Sequence, residues 1–176
     1  MSDTDADTST NSGTDTTIVE LTNEAGWLAA YPVLSELRPV DEATYLEYLR
    51  AMTAEGYRLF GLVEGGGAAT GSESFAVDDS GAVPPPEAFV AVAGVRISTT
   101  LYHGKHAWVY DLVTRPERRS EGHGERLLSF VEAWATARDC AVVELASGLW
   151  REDAHRFYEG HVDYERYCYT FKKDLS

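Results

Sequence analysis

The chain has 176 residues, 44% of them hydrophobic and 25% charged, with 29 acidic against 15 basic side chains and a formal net charge of −14. That length fits one domain with a substantial core, and the acidity argues against a nucleic-acid surface, because phosphate attracts Lys and Arg. No run of about 18 apolar residues is present and the N-terminus lacks the basic and apolar regions of a signal peptide, so a soluble, cytoplasmic protein without membrane contact is expected.

Residues 1–16 are rich in Asp, Ser and Thr and cannot bury enough surface to offset their ordering entropy; a disordered acidic tail is expected there. Its four aspartates, Asp3, Asp5, Asp7 and Asp15, leave −10 on the remainder, and lysine is limited to Lys105, Lys172 and Lys173. Such a surface resembles that of proteins from salt-rich cytoplasm, where salt screens self-repulsion. Thr17 to Leu21 is β-branched and reads as a first strand. Glu24 to Leu37 places Trp27, Leu28, Tyr31, Leu34 and Leu37 on one helical face, with Pro32 removing a donor in the middle, so a kinked helix or two short ones are expected. Asp41 can cap a second helix, with Tyr45, Tyr48, Leu49 and Met52 as its apolar stripe and Gly56 as its end.

Tyr57 to Glu64 and Ala88 to Ser98 alternate as strands. Between them, residues 65–87 carry Gly, Ser, Asp and the run Pro84 to Pro86, too long for a hairpin loop and read as a flexible insertion. His106 to Thr114 is the next strand, interrupted by Asp111, and Glu125 to Arg138 a helix with Leu127, Leu128, Val131, Trp134 and Ala135 inward. Ala141 to Ala146 has the near-continuous apolar pattern of a buried parallel strand, interrupted by Glu144. The order strand, helix, strand favours a right-handed crossover. Arg151 to Glu159 is a short helix and Arg166 to Lys172 a last strand. These elements make an α/β mixed sheet flanked by helices, with no internal repeat. Cys140 and Cys168 lack zinc spacing and read as buried thiols. His103 and His106 have no further ligand near them in sequence, so no metal site is expected.

The chemistry concentrates at the turn before the third long helix. Gly122 and Gly124 allow close backbone approach, the helix that opens there leaves its first N–H groups unpaired, and these with the helix dipole favour an anion such as a pyrophosphate. Arg115, Arg118 and Arg119 add local positive charge. No Gly-Lys-Ser/Thr and no Gly-x-Gly-x-x-Gly occurs, which excludes the Walker loop and the dinucleotide fingerprint. Asp111 and Glu144, carboxylates inside apolar strands, need a partner or a use, because an unpaired buried charge costs several kcal/mol.

Arg119-Ser120-Glu121-Gly122-His123-Gly124 resembles the Arg/Gln-x-x-Gly-x-Gly/Ala signature of the GNAT acetyltransferases, and Ala154-His155-Arg156-Phe157-Tyr158 resembles the family's later Ala-x-x-Phe/Leu-Tyr helix. The resemblance implies a single-domain, mostly antiparallel sheet over residues 17–176 with a splayed central parallel strand pair. It implies acetyl-coenzyme A as cofactor, held by backbone groups of Leu112, Val113 and Thr114 in the gap and by amides of Arg119, Ser120, Glu121, Gly122, His123, Gly124 and Glu125. Arg151 stands where the family often has Asn, and is read as a charge contact to the cofactor. Tyr158 matches the tyrosine proposed to protonate the departing thiolate, which suits a phenol of ordinary pKa near 10. The base for the amine is read first as Asp111 and second as Glu144. The expected activity is direct acetyl transfer to a primary amine of a small molecule or peptide; the alternative is a non-catalytic acyl-coenzyme A sensor or interaction module. Monomer and homodimer both stay open. The long 65–87 connection and Val162-Asp163, in place of the usual Gly-Phe, depart from the family pattern.

Overall fold

Five short runs of β-prone sequence pair into one sheet in chain order. They are β1 (Thr16–Glu20), β2 (Tyr57–Glu64), β3 (Phe89–Thr100), β4 (Gly104–Thr114) and β5 (Val142–Leu145). The first four are antiparallel neighbours, and β4 and β5 are parallel. The helices are α1 (Glu24–Leu34), α2 (Glu42–Ala54), α3 (His123–Thr136) and α4 (Glu152–Gly160). This computed structural model describes residues 15–65 and 83–175. The expected disordered tail, apart from residues 15 and 16, and residues 66–82 of the expected insertion lie outside them.

Local chemistry sets the element ends. Asn23 caps α1 by accepting a hydrogen bond from the Gly26 amide at 2.9 Å, satisfying one of the donors a helix start leaves free. The helix carries Pro32 inside it and stops at Leu34, so it is one helix rather than two and does not reach Leu37. Asp41 caps α2 through the Thr44 amide at 3.0 Å, as its position in the sequence suggests. Gly56 follows at φ +94°, a conformation that suits a residue without Cβ. Tyr45 and Leu49 are buried on the sheet, whereas Tyr48 is 55% exposed and does not belong to the buried stripe.

Two apolar layers sandwich the sheet. Helices α1 and α2 pack on one face against Tyr57, Leu59, Val63, Phe89, Val92 and Val113. On the other face α3 buries Leu127, Leu128, Phe130 and Val131 against Phe60, Leu62, Val90, Ala93, Ala107 and Val109, and α4 adds Phe157 and Tyr158 to that layer. Alternation along β4 assigns each residue to a layer until a β-bulge intervenes. Val95 pairs with Val109 and Gly94 with Asp111, so Tyr110 is the extra residue, and a bulge of this kind re-aims the side chains beside it.

Three expectations fail at the far end of the sheet. Strand β5 is half-buried and forms the sheet edge, not a buried interior strand. Residues 166–172 form no strand, and Tyr167, Tyr169 and Phe171 are exposed, Phe171 at 92%; alternation alone does not make a strand when its backbone finds no ladder partner. Cys140 is half-buried and Cys168 exposed, against the reading of both as buried thiols. Among the described residues no helix is long and apolar enough to cross a membrane.

Candidate active site

Strands β4 and β5 part company. Their ladder runs from the pair His106 and Val142 to the pair Val109 and Leu145 and stops there, while β4 continues to Thr114 against β3 alone. Leu112, Val113 and Thr114 therefore lie beyond the last pair, and their backbone has no ladder partner in β5.

The glycine turn stands at the end of that gap. Ser120 and Gly122 take the left-handed conformation, φ 65° and 82°, and Gly122 caps α3 with no side-chain hydrogen bond, leaving the first amides of the helix, from His123 onward, available to an anion. Gly124 joins the turn to both neighbours: a Cβ there would meet Thr114 Oγ1 at 3.4 Å and Phe157 Cζ at 3.7 Å. The turn, the free end of β4 and helix α4 thus converge.

The arginines divide their duties differently from the expectation of a common phosphate cluster. Arg115 donates to the carbonyls of Phe89 and Pro86 and ties the end of β4 to the start of β3. Arg118 pairs with Glu64 at the end of β2 and with Glu121 at 2.8 Å, and these carboxylates push its pKa up. The same hydrogen bond from Arg118 holds the Glu121 carboxyl below its ordinary range. His123, buried, lies 3.2 Å from Glu121 and 3.3 Å from Arg118. Arg115 and Arg118 brace the turn, and of these three arginines it is Arg119 that is exposed and has no ion pair among the described residues.

Tyr158 sits on α4 in the α3 layer. Burial raises its pKa, with Arg151 at the start of α4 pulling in the opposite direction, so the phenol keeps its proton at neutral pH. His155, on the same helix, is half-buried.

The two candidate bases occupy unlike places. Asp111 is 7% exposed; Arg38 Nε donates to its Oδ1 and the Tyr57 hydroxyl to its Oδ2, each at 2.8 Å. It pins the segment after α1 to the sheet. Glu144 instead opens into a cavity of about 630 Å³ on the opposite face from α3, shared with Arg96, His103, His106, Trp108 and Tyr110. His103 Nε2 stands 3.0 Å and His106 Nε2 3.7 Å from its two carboxylate oxygens. The pair of histidines does have a carboxylate beside it, one strand away, which spacing along the chain could not reveal. Among the described residues no group of three or more His, Cys, Asp or Glu is arranged to hold a metal. The alternation of His106, Trp108 and Tyr110 was the signal that these residues share a surface.

A splayed parallel pair beside an uncapped, glycine-led helix start defines the acetyltransferase class of α/β proteins, and the comparisons agree. Residues 33–162 match the family model described as "Acetyltransferase (GNAT) family", and the chain belongs to that family. It is 35% identical over 158 residues to the uncharacterized N-acetyltransferase YhdJ of Bacillus subtilis (strain 168), covering 89% of this chain and 96% of that one. Among solved structures, an aminoglycoside N-acetyltransferase AAC(6')-Iy in complex with CoA superposes with a TM-score of 0.68 at 14% identity, covering 93% of this chain and 97% of the other. Glucosamine-6-phosphate N-acetyltransferase from Arabidopsis thaliana superposes with 0.65 at 14% identity, covering 92% and 99%. At these identities the two structures bear on the fold.

Proposed function

We propose that this chain, as one domain from about residue 17, transfers the acetyl group of acetyl-coenzyme A to a primary amine by direct attack in a ternary complex. The observation that carries the reading is the early end of the β4–β5 ladder beside the uncapped start of α3. Bound coenzyme A would supply an activated thioester. The amides of residues 119–125 would hold its diphosphate with Arg119 as the nearby free cation, backbone of Leu112 to Thr114 would align the pantetheine, and Arg151 would add charge at the start of α4.

Tyr158, kept protonated by burial, donates a proton to the departing sulfur. Glu144 takes the proton of the ammonium, because Asp111 is held by Arg38 and Tyr57 and does not line the cavity, whereas Glu144, with His103 and His106 beside it, faces that space. Asp111 acts by fixing the segment after α1 against the strand that carries Tyr110. Transfer from thioester to amine then needs no covalent enzyme intermediate.

Thiol release over a panel of amines, run in high salt because of the acidic surface, tests the activity. Tyr158→Phe lowers kcat by about 10²-fold, the usual scale of general acid assistance, with coenzyme A affinity retained by calorimetry. Unchanged turnover would move the acid elsewhere or favour the acyl-coenzyme A sensor. Absence of a thermal shift with coenzyme A would remove both, since a ligand of the folded state raises apparent stability.

A further inference from the structure

Three strands present one residue each to the cavity at the same level. Arg96 of β3 pairs with Trp108 of β4, and Trp108 pairs with Glu144 of β5; directly paired residues share a face of a sheet, and all three line the cavity. The row reads cation, indole, anion, and at two strand spacings its ends are about 10 Å apart at the backbone. The anionic end is flanked by His103 and His106. The cationic end is a guanidinium 5.9 Å above the Tyr110 ring, and its only ion-pair partner among the described residues is Glu55 at 2.8 Å, a carboxylate 69% exposed.

We infer that the acceptor is a zwitterion: a primary amine with a carboxylate or similar anionic group at the far end of a flat or apolar body. This rests on the acetyltransferase reading above and names the acceptor class of the same site. The ammonium lies against Glu144, one residue pair before the last rung at which the strands part; the body lies across Trp108; the anion takes Arg96. Exchange of partners at Arg96 is cheap, because an ion pair to a carboxylate as exposed as Glu55 contributes little to stability, and the guanidinium offers a planar fork that matches a carboxylate. A purely cationic acceptor such as a polyamine would bring like charge to Arg96, and a simple neutral-tailed amine would leave that end of the row unused.

The test is titration calorimetry of the full chain with 4-(aminomethyl)benzoate, benzylamine and 4-methylbenzoate, with coenzyme A titrated into the same preparation. The zwitterion is expected to bind at least about tenfold tighter than either half, the effect of one charge-assisted contact. In Arg96→Gln that advantage disappears. In Glu55→Ala it grows, because Arg96 loses its competitor, an outcome that a merely structural Arg96–Glu55 pair does not produce. Equal affinity for the zwitterion and benzylamine, or no binding of any of the three, overturns the inference. If coenzyme A still binds, the acetyltransferase reading survives that failure; if coenzyme A does not bind, the reading itself falls.

Discussion

Gly94 lies opposite Asp111 in the β3–β4 register, and a Cβ at that position would stand 1.6 Å from the Tyr57 hydroxyl and 2.2 Å from its ring. Tyr57 is buried and cannot retreat. Gly94→Ala therefore breaks the Tyr57–Asp111 hydrogen bond as well as overpacking the layer, and is expected to cost at least about 2 kcal/mol in urea denaturation. Gly124→Ala is the contrasting case, since its Cβ meets only ordinary contacts; stability is kept or raised by up to about 1 kcal/mol. The sequence marks Asp111 as an anomaly in an apolar strand, yet its partners Arg38 and Tyr57 lie 73 and 54 residues away. No local pattern pairs them. The same limit applies to Arg115 and Arg118, whose positive charge is legible while its commitment to Phe89, Pro86 and Glu64 is not.

At the scale of elements, periodicity and punctuation carried most of the reading. β2 spans Tyr57 to Glu64 as its alternation indicates, and α3 and α4 begin and end within two residues of the expected bounds. Those segments combine a clear apolar period with glycine or cap residues at their ends, so local preference and packing agree. The tail departs because a strand is a property of two segments. Tyr167, Tyr169 and Phe171 have the period, but Asp163 turns the chain at φ 56° and the Tyr164 amide returns to the Tyr158 carbonyl at 2.8 Å, with no ladder after it. Truncation after Tyr169 removes a segment whose described residues, 170–175, are exposed and have Lys172 with Asp174 as their one ion pair among the described residues. Stability is expected to stay within about 0.5 kcal/mol in a thermal melt, and a larger loss would show that the tail contributes packing to the sheet.

For the whole molecule, the phenols are distributed through both layers. Burial raises the pKa of Tyr45, Tyr57, Tyr158 and Tyr164 above the ordinary phenol value, with the Asp111 carboxylate adding to the effect at Tyr45 and Tyr57. The folded chain thus holds protons that the unfolded chain releases near pH 10. That contribution to stability is complete below about pH 10 and declines as the pH rises beyond it, toward the raised folded values. Alkaline titration is expected to give a cooperative unfolding above about pH 10 in which tyrosinate absorbance from the buried rings appears together with loss of the fold. A smooth titration of all ten tyrosines at their ordinary value, with the circular dichroism unchanged, would contradict it.

The extra residue at Tyr110 has an effect on how this protein can change. Upstream of it, His106 and Trp108 look into the cavity; downstream, Leu112 joins the α3 layer and Val113 the α1 layer. One strand is thereby cut into two independently editable segments, out of phase with each other. On the proposed function, mutations that retune which amine is accepted can accumulate before the insertion point, while the stretch proposed to meet the donor stays as it is.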